Sequence, residues 1–292
     1  MSVIAINQLT KTYNGNRGID KVSLDVEKGE IYGFIGPNGA GKSTTIKLLL
    51  NLIFPTSGEG KIFGLDIVTN SVKIKENIGY VPSDVRFYEN MSAIELIKTT
   101  IAFHKKGSEQ DIEKLCSVFE IEKNKKMSEL STGNKKKVAI ATALVHEPEL
   151  IIMDEPTNGL DPLMQKRLFD VLKDRNKNGA TIFLSSHNLT EVQEHCTKAA
   201  FIKEGKIIEI QDLTKELKRS KIFTVVSDNL DLTVMKNIGV NVIESTNKKK
   251  VFTYDGKLNK MLDIISKFDI EDITIDNMSL ESKFMSYYEK EV

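Results

Sequence analysis

The chain has 292 residues, 40% hydrophobic and 28% charged, which is enough for one large core and a smaller second domain. Its 41 basic and 41 acidic side chains cancel, so no net field invites nucleic acid or an anionic membrane, and no nucleic-acid partner is expected. The cysteines Cys116 and Cys196 are far apart and outside any CxxC spacing, which excludes a disulfide framework and points to a reducing compartment. The N-terminus lacks the charged and apolar regions of a signal peptide, and no apolar run approaches the roughly 18 residues of a membrane-spanning helix. The expectation is a cytoplasmic protein that meets a membrane only through a partner.

Residues 3–6 and 22–26 alternate apolar and polar side chains, as half-buried strands do. Residues 31–35 are a continuous apolar run ending in a glycine-rich turn, the form of a buried strand. Residues 44–53 then place Ile46, Leu49, Leu50 and Ile53 on one helical face before Pro55. From 92 to 126 the chain reads as helical and charged, with Ile94, Ile97 and Ile101 at helix spacing. A second buried strand is predicted at 150–153, a helix at 164–177 stopped by Gly179, and a strand at 181–184. Residues 199–203 and 206–210 flank Glu204-Gly205, a hairpin signal. Strands alternating with helices predict a mainly parallel sheet.

Past Leu217 the pattern changes. Strands at 221–227, 240–244, 250–254 and 272–275, with helices at 232–237 and 258–268, give the order β-α-β-β-α-β of a small split-βαβ domain. A last helix is predicted at 280–290, with Phe284 and Tyr288 on one face. The basic runs Lys135-Lys136-Lys137 and Lys248-Lys249-Lys250 read as solvated faces.

Chemistry enters at Gly36-Pro37-Asn38-Gly39-Ala40-Gly41-Lys42-Ser43. Phosphate oxygens need several converging backbone N–H groups, and glycine lets the backbone approach them. Lys42 brings a charge to the outer phosphates, the Ser43 hydroxyl is placed to ligate Mg²⁺, and the helix beginning near Ser43 and Thr44 turns its positive end toward the anion. Downstream, Leu150-Ile151-Ile152-Met153 drives Asp154-Glu155 to the end of a buried strand, where open α/β sheets bind their ligands. Asp154 is assigned to the Mg²⁺ shell and Glu155 to the attacking water.

Two more segments narrow the family: Leu130-Ser131-Thr132-Gly133-Asn134, some twenty residues before Asp154, and Leu184-Ser185-Ser186-His187 just past a strand. With the phosphate loop and the acidic pair, in this order, they resemble the ATP-binding cassette (ABC) family over about residues 2–215. The resemblance implies an α/β fold: a P-loop nucleotide-binding domain over residues 1–217, with a parallel sheet core, an antiparallel β subdomain and a helical subdomain at about 84–135, then a C-terminal α+β accessory domain over 218–292. It also implies a head-to-tail dimer, with a second copy or a related ABC subunit, that sandwiches ATP with Mg²⁺. Tyr13 would stack on adenine, while Gly36 to Ser43 with Thr44 would hold the phosphates. Ser131 and Gly133 would reach the γ-phosphate held by the other subunit, Asp161 would lie in the loop crossing the interface, and His187 would contact the γ-phosphate. His104, His146, His195 and Cys196 are read as structural.

The sequence departs from the family at two places. Ser83 follows Ile78-Gly79-Tyr80-Val81-Pro82, where the family carries a glutamine that touches the metal and senses the membrane partner. Thr132 stands in the signature loop where the family favours glycine, and it could serve as a hydroxyl N-cap. The C-terminal domain and the ending 278–284 resemble the drug- and ion-exporting branch, whose permease is a separate chain. The implied function is therefore an ATPase subunit on the inner face of the cell membrane, held there by its permease. The alternative is a soluble ABC ATPase acting on a non-membrane partner. One cassette, no heptad run and zero net charge weigh against it, and no Asn-Lys-x-Asp guanine reader supports a GTPase.

Overall fold

The computed structural model describes residues 2–13, 16–214, 221–232, 235 and 238–277. It divides into two compact units, the first ending at Gln211 and the second beginning at Asp212.

The first unit is built on two sheets. Strands β1 (Ser2–Tyr13) and β2 (Asn16–Glu27) pair antiparallel and far outrun the two short stretches that alternation marked. With β4 (Ser57–Ile62) and β5 (Leu65–Asp66) they form an antiparallel sheet in the order β2-β1-β4-β5. The second sheet is assembled from β3 (Ile31–Ile35), β6 (Ile78–Val81), β7 (Leu150–Asp154), β8 (Thr181–Ser186), β9 (Lys198–Lys203) and β10 (Lys206–Asp212). Its order is β10-β9-β3-β8-β7-β6, and the β9-β3, β3-β8, β8-β7 and β7-β6 pairs are parallel. Every residue of β3, β7 and β8 is buried, as strands covered on both faces must be.

Helix α1 (Lys42–Leu49) lies between the sheets, packing on β7 on one side and on β2 and β4 on the other. It is shorter than the predicted 44–53, starting at Lys42 and ending well before Pro55, with Asn51 already in the left-handed region at φ 48°. Helix α2 (Ser71–Lys75) leads into β6. The stretch predicted as helical from 92 to 126 is two helices, α3 (Ala93–His104) and α4 (Glu109–Val118). Each is opened by a serine capping box, Ser92 with Glu95 and Ser108 with Asp111, and those boxes explain where each one starts. Helix α5 (Thr132–Leu144) packs on both α3 and β6. Helix α6 (Pro162–Lys177) begins two residues before the predicted start because Asp161 caps it and Pro162 fits the first turn. Helix α7 (Leu189–His195) sits against β3 and β8.

In the second unit, β11 (Lys221–Val226), β12 (Val240–Ser245), β13 (Lys249–Tyr254) and β14 (Asp272–Asn277) form an antiparallel sheet in the order β12-β13-β11-β14. Helix α8 (Leu258–Ile265) buries Met261 and Ile265 in a core with Phe223, Val225, Phe252 and Tyr254. This is the split-βαβ strand order. Most of the predicted helix at 232–237 and all of that at 280–290 fall outside the described residues. Among the described residues, no helix is long and apolar enough to cross a membrane.

Where α5 meets β6 the fit is tight: a Cβ on Gly79 would run into the Ala143 carbonyl oxygen, a backbone atom that cannot step aside. Gly79→Ala is expected to cost about 1–3 kcal/mol, read as a lowered urea midpoint of the intact chain. Beside it, His146 is buried and stacks on His104 with ring centroids 3.9 Å apart. Burial and the neighbouring His104 push the His146 imidazole from 6.5 down to about 4. Between those pH values the unfolded chain binds a proton that the folded chain refuses, so stability falls as pH drops through the window. His146→Phe should flatten this acid limb, as measured by urea midpoints at pH 7 and pH 5.

Candidate functional site

Parallel pairing puts the carboxyl ends of four strands along one edge of the sheet. Ile35 pairs with Ser186, Asp154 with Ser185, and Val81 with Met153. The four segments that leave this edge are the glycine loop after β3, Asp154-Glu155 after β7, Ser186-His187 after β8 and Pro82-Ser83 after β6. Carboxyl ends of parallel strands are where α/β sheets bind ligands.

The loop from Gly36 to Gly41 joins β3 to α1. Gly41 sits at φ 110°, and a Cβ there would meet Ile19 Cγ2 at 2.7 Å, so both conformation and space require glycine. No acidic residue lies in the first turn of α1, whose N-terminal N–H groups and positive dipole end open toward the loop. Lys42 is curled back into the loop. Its Nζ donates to the carbonyls of Gly36 at 2.5 Å and Pro37 at 3.2 Å, and pairs with Glu155 Oε1 at 3.0 Å.

Glu155 is buried with its backbone in the left-handed region at φ 48°, strain of a kind that collects at functional sites. Its Oε2 meets His187 Nδ1 at 2.7 Å. Its Oε1 is close to Lys42 but lacks an aligned donor, a buried acceptor that a water or ligand proton would satisfy. The His187 side chain is 50% exposed, so it stays open to a ligand. Lys42, Glu155 and His187 thus form one continuous chain of contacts across three loops.

Ser185, which the sequence reading did not assign, holds this arrangement together. Its hydroxyl donates to Asp154 Oδ1 at 2.6 Å and accepts from the Glu155 N–H at 3.0 Å. Glu191 on α7, also unassigned, accepts from Thr157 Oγ1 and Ser186 Oγ, both at 3.2 Å, and ties the segment after Glu155 to the one before His187. Burial raises its carboxyl above the usual range. Ser185 lies within the segment ending at His187 and Glu191 in no motif, but neither role shows in the local pattern, because each acts on a partner thirty or more residues away.

The remaining candidates lie elsewhere. Ser131, and not Thr132, caps α5: its hydroxyl accepts from Asn134 N–H at 3.3 Å, while Thr132 is the first helical residue. A Cβ on Gly133 would meet the Gly159 carbonyl at 2.6 Å, so the start of α5 packs closely on the turn that leads to Asp161. Asp161 itself accepts from Met164 N–H at 3.0 Å as the cap of α6. Among the described residues, Ser131, Gly133 and Asp161 make no hydrogen bond to Lys42, Asp154, Glu155 or His187. Tyr13, at the end of β1, is 43% exposed, with Lys11 Nζ 5.3 Å from its ring centroid.

Lys136 corrects the sequence reading outright. It does not lie on a solvated face: it is buried, and its Nζ donates to the carbonyls of Pro82 at 2.9 Å and Ser83 at 3.2 Å. Burial pushes its ammonium down to about 8, although Asp154, Glu155 and Asp84 oppose the shift. The helix period held the clue, since Lys136, Ile140 and Ala143 share one buried face of α5.

The profile of the family described as ABC transporter matches residues 19–158. The bacitracin transport ATP-binding protein BcrA of Bacillus licheniformis is 35% identical over 97% of this chain and 96% of that protein. The chain belongs to the ABC transporter family. It is an ABC ATP-binding subunit and an ATPase. A probable multidrug ABC transporter ATP-binding protein of Escherichia coli, YbhF, is 31% identical over 71% of this chain and 36% of that longer protein. Among solved structures, an ATP-binding subunit of an ABC transporter superposes with a TM-score of 0.68 at 29% identity, covering 73% of this chain and 90% of that one. A dimeric cassette in a post-hydrolysis state, bound to ADP and Pi, superposes at 0.67 with 26% identity, covering 72% and 98%.

Gly41→Ala would force a non-glycine residue to φ 110° against Ile19. It is expected to weaken ATP binding about tenfold, read by titration with a fluorescent ATP analogue, while the far-ultraviolet circular dichroism stays unchanged.

Proposed function

We propose that this ABC ATPase drives an exporter of peptide antibiotics, working as a head-to-tail dimer on a separate permease at the inner face of the cell membrane. The contact chain from Lys42 through Glu155 to His187 carries the catalytic part of this reading. The relatives named for bacitracin and multidrug transport support the export part, and the dimeric cassette bound to ADP and Pi supports the dimer.

Glu155 is the counter-ion of Lys42, its Oε1 lying 3.0 Å from the Lys42 Nζ. ATP brings a stronger, more highly charged anion to the same ammonium, so its outer phosphates take over Lys42 and release Glu155 Oε1. The freed carboxylate accepts a proton from the attacking water, and His187 keeps the carboxylate turned toward the γ-phosphate. Backbone N–H groups from Gly36 to Ser43, with Thr44 at the helix start, cradle the phosphates, and Tyr13 offers its ring to adenine.

The oxygen donors Ser43 and Asp154 suit a hard cation, and the orphaned Glu155 Oε1 leaves an acceptor for water beside them, so the residues fit Mg²⁺. Ser43 and Asp154 would hold that ion, which would neutralise charge developing on the phosphates. Ser185 holds Asp154 in place through Oδ1.

Ser131 and Gly133, at the positive end of α5, would complete the site of a second copy, with the Gly159 to Asp161 turn packed beneath them. A groove of about 920 Å³, lined by Leu50, Leu52, Val72 and Phe103 together with Ile78 and Tyr80 of β6, offers a seat for a permease segment.

Glu155→Gln removes the base and leaves the phosphate loop intact. Turnover should fall by at least about 100-fold while ATP is still bound, and the variant with ATP should elute as a dimer in gel filtration. A monomer under those conditions would require the sandwich model to be revised.

A further inference from the structure

A fully buried lysine is rare and needs partners. Lys136, with 2% of its surface exposed, lies one turn into α5, the helix that Ser131 caps. Its ammonium does not bond to a carboxylate but to two successive backbone carbonyls, Pro82 and Ser83, in the turn leaving β6. Asp154, Glu155 and Asp84 all act on the same charge. Lys136 therefore joins the turn carrying Ser83, the helix start carrying Ser131 and Gly133, and the field around the acidic pair. Ser83 is a short residue at a position where the resemblance leads one to expect a longer glutamine. What the structure does with that position is to hold its main chain.

We propose that Lys136 is a positioning residue for hydrolysis, clamping the Pro82-Ser83 turn to helix α5 so that the two segments move as one body toward the nucleotide. The proposal rests on the ATPase reading of the Lys42, Glu155 and His187 site. Two carbonyls on one ammonium fix the turn more firmly than a hydroxyl side chain could, because charge-assisted bonds are about twice as strong as neutral ones. Any displacement of the turn would be passed through Lys136 to the start of α5, which carries Ser131 and Gly133. The same clamp keeps a positive charge behind Asp154 and Glu155.

The test uses the full chain, with steady-state ATPase kinetics, binding of a fluorescent ATP analogue and amide hydrogen exchange. Lys136→Met keeps the apolar stem and deletes the ammonium. It should lower kcat about tenfold while KM and the analogue's Kd stay within about twofold. Exchange should rise together at residues 82–84 and 131–134. Lys136→Gln, which keeps an N–H donor, should fall between wild type and Lys136→Met in kcat, and it carries the test if the Met variant does not fold. Wild-type kcat in Lys136→Met, or a parallel fall of kcat, affinity and urea midpoint, would overturn the proposal. So would faster exchange in only one of the two segments. Glu155→Gln separates the two levels: if it abolishes turnover while Lys136→Met turns over at the wild-type rate, only the clamp fails. If turnover survives in Glu155→Gln, the reading of the site fails and takes the clamp with it.

Discussion

A buried ion pair between Lys42 and Glu155 is the contact around which this site is arranged. Neither charge would be tolerated alone in so dry a place, and each comes from a loop at the end of a different strand. Parallel pairing of β3, β8 and β7 is what brings those loops together. A phosphate is a stronger partner for Lys42 than a carboxylate is, and in the proposed mechanism nucleotide binding and activation of the base follow from that one exchange of partners.

Around that pair, the supporting contacts tie the ends of strands and the neighbouring helices to the loops that follow the strands. Ser185 links Asp154 to the backbone of Glu155, and Glu191 links Thr157 to Ser186. Lys136 does the same for the Ser83 turn and α5. The strained backbone at Glu155 persists because its amide, its carboxylate and the following segment are each held from a different direction. Rigidity at this edge of the sheet comes from these cross-links more than from regular secondary structure.

Much of the first unit was readable from local patterns. The continuous apolar runs at 31–35 and 150–153 became buried parallel strands because both of their faces are covered. Strand β4, by contrast, carries Ser-Gly-Glu-Gly-Lys-Ile and went unread: its only buried residues are Gly60 and Ile62, too weak an alternation to mark a strand. Helix starts were misplaced where the capping residue was not recognised, as with Asp161 before α6 and Ser131 before α5. In the second unit, period-two runs of β-branched and aromatic residues announced all four strands, and a hydrophobic face with Phe223, Phe252 and Tyr254 accounts for them.

The Gly36 to Ser43 loop, the acidic pair and His187 could be picked out as candidates from the amino-acid order alone, because glycine conformation, strand hydrophobicity and short spacing are local properties written in consecutive residues. It took the folded arrangement to show that Lys42 pairs with Glu155, that Ser185 and Glu191 bond to the segments around Asp154 and His187, and that Lys136 is buried against the Pro82 and Ser83 carbonyls. Most of those contacts join residues from 30 to over a hundred positions apart, and their energy depends on desolvation that exists only once the sheets and helices close around them.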